Sequence, residues 1–135
     1  MKRRSMIKNA ALLAGGAVLT GCDTNMQSSQ SLNNLFVHHV LFWLKEPNNP
    51  QACADFEAGL KKLLEIDLIV DKHIGKPAAT NRDVIENTYT YSMIACFKNK
   101  ADQDAYQPHP QHQEFIKNCE HLWNRVMVID SEAAI

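Results

Sequence analysis

Residues 36–44 read Phe36-Val37-His38-His39-Val40-Leu41-Phe42-Trp43-Leu44. β-Branched and aromatic side chains dominate, and both alternating sets of the run are largely apolar. That is the pattern of a strand buried on its two faces. A sheet built around such a strand needs two covers, and the rest of the chain must supply them.

Downstream, Glu46-Pro47-Asn48-Asn49-Pro50 reads as a turn, with Asn49 as helix N-cap and Pro50 at the first helical position. Phe56, Leu60, Leu63 and Leu64 then recur at helical spacing, opposite Asp55, Glu57, Lys61 and Lys62. Leu68–Ile74 reads as a second strand, the polar stretch 78–87 as a loop, and Thr88–Phe97 as a third strand without a polar face. Residues 101–124 are helical in pattern but broken by Pro108 and Pro110, and Val126–Asp130 reads as a fourth strand.

The order β-α-β-β-α-β is that of a ferredoxin-like α+β fold with a four-stranded antiparallel sheet. Its helices cover one face of such a sheet only. The simplest cover for the other is a second copy of the same sheet related by a twofold axis, so a homodimer closing into an α+β barrel is expected.

The chain has 135 residues, 45% hydrophobic and 21% charged, with 14 basic and 15 acidic side chains. Composition and length describe one globular domain. Its near-neutral balance offers no basic face for nucleic acid. The charge is uneven along the chain. Residues 1–21 hold Lys2, Arg3, Arg4 and Lys8 and no acid, so residues 22–135 carry a net charge of −5.

Lys2-Arg3-Arg4, the apolar run from Ala10 to Leu19, and Leu19-Thr20-Gly21-Cys22 describe an export signal. The last four residues resemble a bacterial lipobox, and residues 3–8 a twin-arginine signal. The expected organisation is a signal peptide at 1–21, a tether at 22–34 beginning with lipidated Cys22, and a domain at 35–135. The expected location is the bacterial cell envelope, on the periplasmic side or outer membrane, held by lipid. The other cysteines, Cys53, Cys96 and Cys119, show no metal or CxxC spacing and read as small buried hydrophobes.

The chemistry concentrates in Tyr106-Gln107-Pro108-His109-Pro110-Gln111-His112-Gln113-Glu114-Phe115. Beyond Pro110, His112, Phe115, Ile116, Cys119, Leu122 and Trp123 fall on one helical stripe, which turns His112 inward near a helix N-terminus. The helix dipole there disfavours an imidazolium, leaving a neutral imidazole suited to general-base work. Tyr106, across the break, supplies a phenol to the same space. His39, in register with Val37, Leu41 and Trp43, reads as the inward histidine of the first strand. His38, His73 and His121 read as surface or edge residues.

These residues carry a family resemblance. His38 to Lys45, Tyr89-Thr90-Tyr91, and the Tyr106-x-x-His109-Pro110-x-His112-x-x-Phe115 stretch resemble the stress-responsive A/B barrel (Dabb) family across residues 36–132. The resemblance implies a ferredoxin-like domain dimerised into a barrel. It further implies that Tyr106 and His112 match the catalytic pair of a plant member that closes a linear polyketide without cofactor. It matches His39 to a cavity histidine of that enzyme, and puts Tyr91 where another cavity histidine stands. That departure keeps the cyclase reaction from being carried over.

The expected site is therefore Tyr106 and His112 as acid–base residues, with His39, Tyr91 and His109 as ligand contacts and neither metal nor cofactor. His109 and His112, three residues apart, show no third ligand at a telling spacing. The leading function is a membrane-anchored stress-response domain that binds a small apolar or aromatic molecule. The alternative is a cofactor-free acid–base enzyme, cyclase- or monooxygenase-like, using Tyr106 and His112.

Overall fold

The structure, a computed structural model, describes residues 31–135. The export signal, the lipobox with Cys22, and the tether up to residue 30 lie outside the described residues. A short 3₁₀ turn, Leu32–Asn34, leads into strand β1, Phe36–Leu44. Helix α1 (Pro50–Leu63), strands β2 (Asp71–Gly75) and β3 (Tyr91–Phe97), helices α2 (Lys100–Tyr106) and α3 (Pro110–Cys119), and strand β4 (Trp123–Ser131) follow. The sheet order is β2-β3-β1-β4 with every pair antiparallel. This is the four-stranded ferredoxin-like α+β fold.

Helix α1 starts where its caps place it. The Asn49 side chain accepts from the backbone N–H groups of Gln51 and Ala52 at 3.0 and 3.3 Å, and Pro50 stands at the first helical position. Two donors that a helix start leaves orphaned are thereby filled. Ala52, Phe56, Leu60 and Leu63 form its buried stripe.

Three element boundaries differ from the sequence expectation. Strand β2 begins at Asp71 rather than Leu68, because Ile66 and Ile69 first close turns on Leu63 and Ile66 at the end of α1. Strand β3 begins at Tyr91 rather than Thr88. The residues before it serve the end of β1 instead: Thr90 Oγ1 accepts from Leu44 N–H, and Thr88 Oγ1 from Trp43 Nε1. Helix α3 ends at Cys119, and β4 takes Trp123 and Asn124, which helical spacing had assigned to the helix. Pairing of Trp123 with Leu44 decides this, with a register irregularity between Trp43 and Leu44.

The helices cover one face of the sheet. Phe36, Val40, Phe42 and Leu44 of β1, with Tyr91, Met93, Ala95 and Phe97 of β3, meet Phe56, Leu60 and Leu63 of α1, Tyr106 of α2, and Phe115 and Cys119 of α3. Helices α1 and α3 approach closely at Gly59, where an added Cβ would lie 2.4 Å from Cys119 Sγ. The other face carries Val37, His39, Leu41 and Trp43, with Ile94, Met127 and Ile129 beside them by register. No described helix packs on it.

Candidate functional site

The break between α2 and α3 builds the site. Pro110 cannot donate a backbone hydrogen bond, so helix α2 stops at Tyr106 and α3 starts afresh. The stop leaves the Gln107 carbonyl without a helical donor. His112 Nδ1 and Gln113 Nε2 both fill it, each at 2.8 Å. A carbonyl only accepts, so the His112 bond fixes the proton on Nδ1 and leaves Nε2 as the basic nitrogen of the neutral ring.

Tyr106 is fully buried, and its ring centroid lies 4.5 Å from that of His112. His38 also lies against it, edge-on at 5.8 Å between ring centroids. His38 is itself buried and donates through Nδ1 to Asp130 Oδ1 at 2.6 Å, which leaves its Nε2 for a ligand. Tyr106, His112, His38 and Asp130 line one cavity of about 260 Å³ between helices and sheet. Apart from Gln107, its remaining wall is apolar, including Val40, Phe42, Met93, Phe115 and Trp123, and it opens toward Val126 and Val128 of β4.

Burial sets the electrostatics. It holds the His112 imidazole below its ordinary range, helped by the nearby imidazoles of His38 and His109 and opposed by the Gln107 bond. Burial is the largest of these causes. Burial likewise pushes the Tyr106 phenol up. Both groups are neutral near pH 7: one a hydrogen-bond donor, the other offering a basic nitrogen beside it.

The other expected contacts lie elsewhere. His39 faces away from the cavity and places Nε2 2.9 Å from Ser92 Oγ. The cavity histidine of β1 is its neighbour His38, which sequence reading assigned to the surface. His109 is the N-cap of α3, its Nδ1 accepting from Gln111 N–H at 3.2 Å, and it does not line the cavity. Tyr91 is buried on the helix side but farther along the sheet, with its hydroxyl donating to Glu57 Oε1 at 2.7 Å. It lines a separate cavity of about 360 Å³ with Trp43, Cys53, Lys76 and Tyr89. That space is larger, but it brings together no pair of imidazole and phenol.

Sequence reading missed His38 and Asp130. A signal for His38 was present: Phe36, Val40, Phe42 and Leu44, which share its face, make the more uniformly apolar set. Asp130 gave none, because its pairing with His38 spans 92 residues. Among the described residues, no group of three His, Cys, Asp or Glu side chains comes together to hold a metal ion.

Fold and cavity define a class: a ferredoxin-like α+β domain with a phenol and two imidazoles lining a largely apolar space beneath its helices. The chain belongs to the family described as the Stress responsive A/B Barrel Domain, whose model matches residues 36–133. Among solved structures it is similar to a protein from Arabidopsis thaliana, at 24% identity and TM-score 0.61, covering 72% of this chain and 93% of that one. A Dabb family protein with a ferredoxin-like fold from Mesorhizobium loti aligns at 21% identity and TM-score 0.60, covering 72% and 94%. A hydroxynitrile lyase from Passiflora edulis aligns at 18% identity and TM-score 0.60, covering 73% and 93%. At these identities the likeness is one of fold. No curated protein matches the chain.

Proposed function

We propose that this protein is a homodimer, lipid-anchored in the cell envelope through Cys22, whose cavity binds a small, largely apolar or aromatic molecule bearing one polar head. The observation that carries the binding reading is the composition of the cavity. One end presents Tyr106, Gln107, His112 and the His38–Asp130 pair; the rest is aliphatic and aromatic. Such a space takes an amphipathic guest in one orientation, apolar body inward and polar head on the phenol and imidazoles.

A second reading, turnover by acid–base chemistry without cofactor, is favoured by the fixed His112 tautomer. A neutral imidazole with Nδ1–H held by a carbonyl accepts a substrate proton on Nε2, while the Tyr106 hydroxyl beside it donates to the oxygen on which charge develops. A hydroxynitrile lyase stands among the proteins of similar fold, so this fold is compatible with turnover.

Dimer formation is supported by the apolar sheet face, where Met127 is 37% and Ile129 48% exposed in the isolated chain. Proteins of similar fold described as dimeric, from Bacteroides fragilis and Thermobifida fusca, support it too. The anchor rests on Leu19-Thr20-Gly21-Cys22.

Thermal melts against a panel of small phenols and aromatic acids test the cavity. The wild-type protein is expected to be stabilised by at least one, and Tyr106→Phe and His112→Ala to lose that shift. No shift from any ligand in the wild type would overturn the binding reading. For the anchor, Cys22→Ser is expected to leave the membrane fraction, and its retention there in processed form refutes the lipoprotein assignment.

A further inference from the structure

The sheet face away from the helices places a histidine where an aliphatic contact has no need of one. β1 is an inner strand, and His39 pairs with Ile94 on β3 and with Ile129 on β4. Val37 and Leu41 flank it along the strand, and Met127 stands opposite Leu41. Whatever removes Ile94, Met127 and Ile129 from water therefore removes the His39 imidazole as well. His73 stands next in the same row, opposite Ile94.

The surroundings of His39 offer little to compensate a positive charge. Its Nε2 contact is the neutral Ser92 hydroxyl. From β2 it is faced by His73 and, at the edge, Asp71; from β3 by Cys96; from β4 by Arg125, which is stacked 4.1 Å over Trp43. His38 lies behind the strand, with its own aspartate already engaged. Burial, His38 and His73 together hold the His39 imidazole below its ordinary range even in the single chain.

We propose that this face is a proton-sensitive dimer contact, closed between two copies of the chain while His39 is neutral and opened when it is protonated. The inference rests on the homodimer proposed above. Twofold symmetry brings the His39 and His73 imidazoles into one contact twice over, away from water. Burial against the partner depresses the His39 pKa further, so association is fully present above the ordinary imidazole pKa of about 6.5 and is lost as pH falls through the depressed value. In a cell envelope such a contact ties assembly to external acidity.

Sedimentation velocity of the full chain in density-matched detergent, at about pH 7.5 and about pH 5, tests this across the imidazole range. The expected result is a dimer at the higher pH whose Kd rises by about tenfold or more at the lower, each unit of pKa depression being worth a factor of ten. Near-UV circular dichroism at the lower pH is expected to show a folded protomer. His39→Gln, which keeps a polar contact for Ser92 but cannot be charged, is expected to hold the dimer at both values, with His39→Leu as the alternative if Gln folds poorly. An equally tight wild-type dimer at both pH values overturns the proton-sensitive contact and leaves the dimer standing. A pH loss that persists in both variants overturns the role of His39. A monomer at both values overturns the dimer itself.

Discussion

His38 and Asp130 are direct register partners on β1 and β4, and their side chains close a 2.6 Å hydrogen bond over the helix-covered face of the sheet. The pairing delivers a second imidazole to the cavity that Tyr106 and His112 line from the α2–α3 break. The Asp130 carboxylate is 42% exposed, so the pair adds little to stability. Its consequence is orientation: Nδ1 is occupied, and His38 presents one nitrogen only.

Asp130→Asn tests that orientation. The amide retains an acceptor but not the charge, and the fold is expected to lose about 1 kcal/mol, as for a pair with one partly exposed partner. Binding of any ligand found in the melting panel is expected to weaken several-fold. Unchanged affinity, measured by calorimetry, would detach His38 from the site.

His112 and Tyr106 separate by their effects on stability. Tyr106→Phe keeps the ring against His38, Phe97 and His112 and removes only the hydroxyl, so unfolding free energy is expected within about 1 kcal/mol of wild type. His112→Ala also strips one of two donors from the Gln107 carbonyl, with an expected cost of about 0.5–1.5 kcal/mol. Denaturant titration gives both values. A far larger loss for His112→Ala, with no ligand effect, would mark it as a core residue.

Acidification is expected to destabilise the domain through His112. Its imidazole lies below the ordinary value in the folded chain, so its contribution is fully present above about pH 6.5 and is lost as pH falls through the folded value. His112→Gln is expected to flatten that part of the curve of Tm against pH. An identical slope in the variant would assign the acid limb to other groups.

The close approach of α1 and α3 is expected to tolerate no side chain at position 59. Gly59→Ala directs a methyl group at the Cys119 sulfur and is expected to cost about 1–3 kcal/mol by overpacking. Cys119→Ala removes that sulfur, so the double variant is expected to recover part of the loss beyond additivity. Strict additivity in denaturant melts would contradict the contact.

Much of the fold was legible because its signals are local. The cap at Asn49, the stripe of Phe56, Leu60 and Leu63, the extent of β1, and the break at Pro108–Pro110 each depend on neighbours within a turn or two. The inward turn of His112 was legible for the same reason. Boundaries failed where a distant partner competed, as Leu44 did in drawing Trp123 into β4.

The sequence by itself determined that His38 and His39 point to opposite faces of the sheet, since successive residues of a strand must. Which face the helices cover it only hinted at: the set sharing a face with His38 is the more uniformly apolar, yet both alternating sets in β1 are apolar enough to be buried. That choice belongs to the tertiary structure. Helices α1, α2 and α3 pack on the side of Phe36, Val40 and Phe42, placing His38 in the cavity with Tyr106 and leaving His39 on the open face. Asp130 reaches His38 only because β4 pairs with β1 in this register, and a slip of one residue would have turned its carboxylate to the other side.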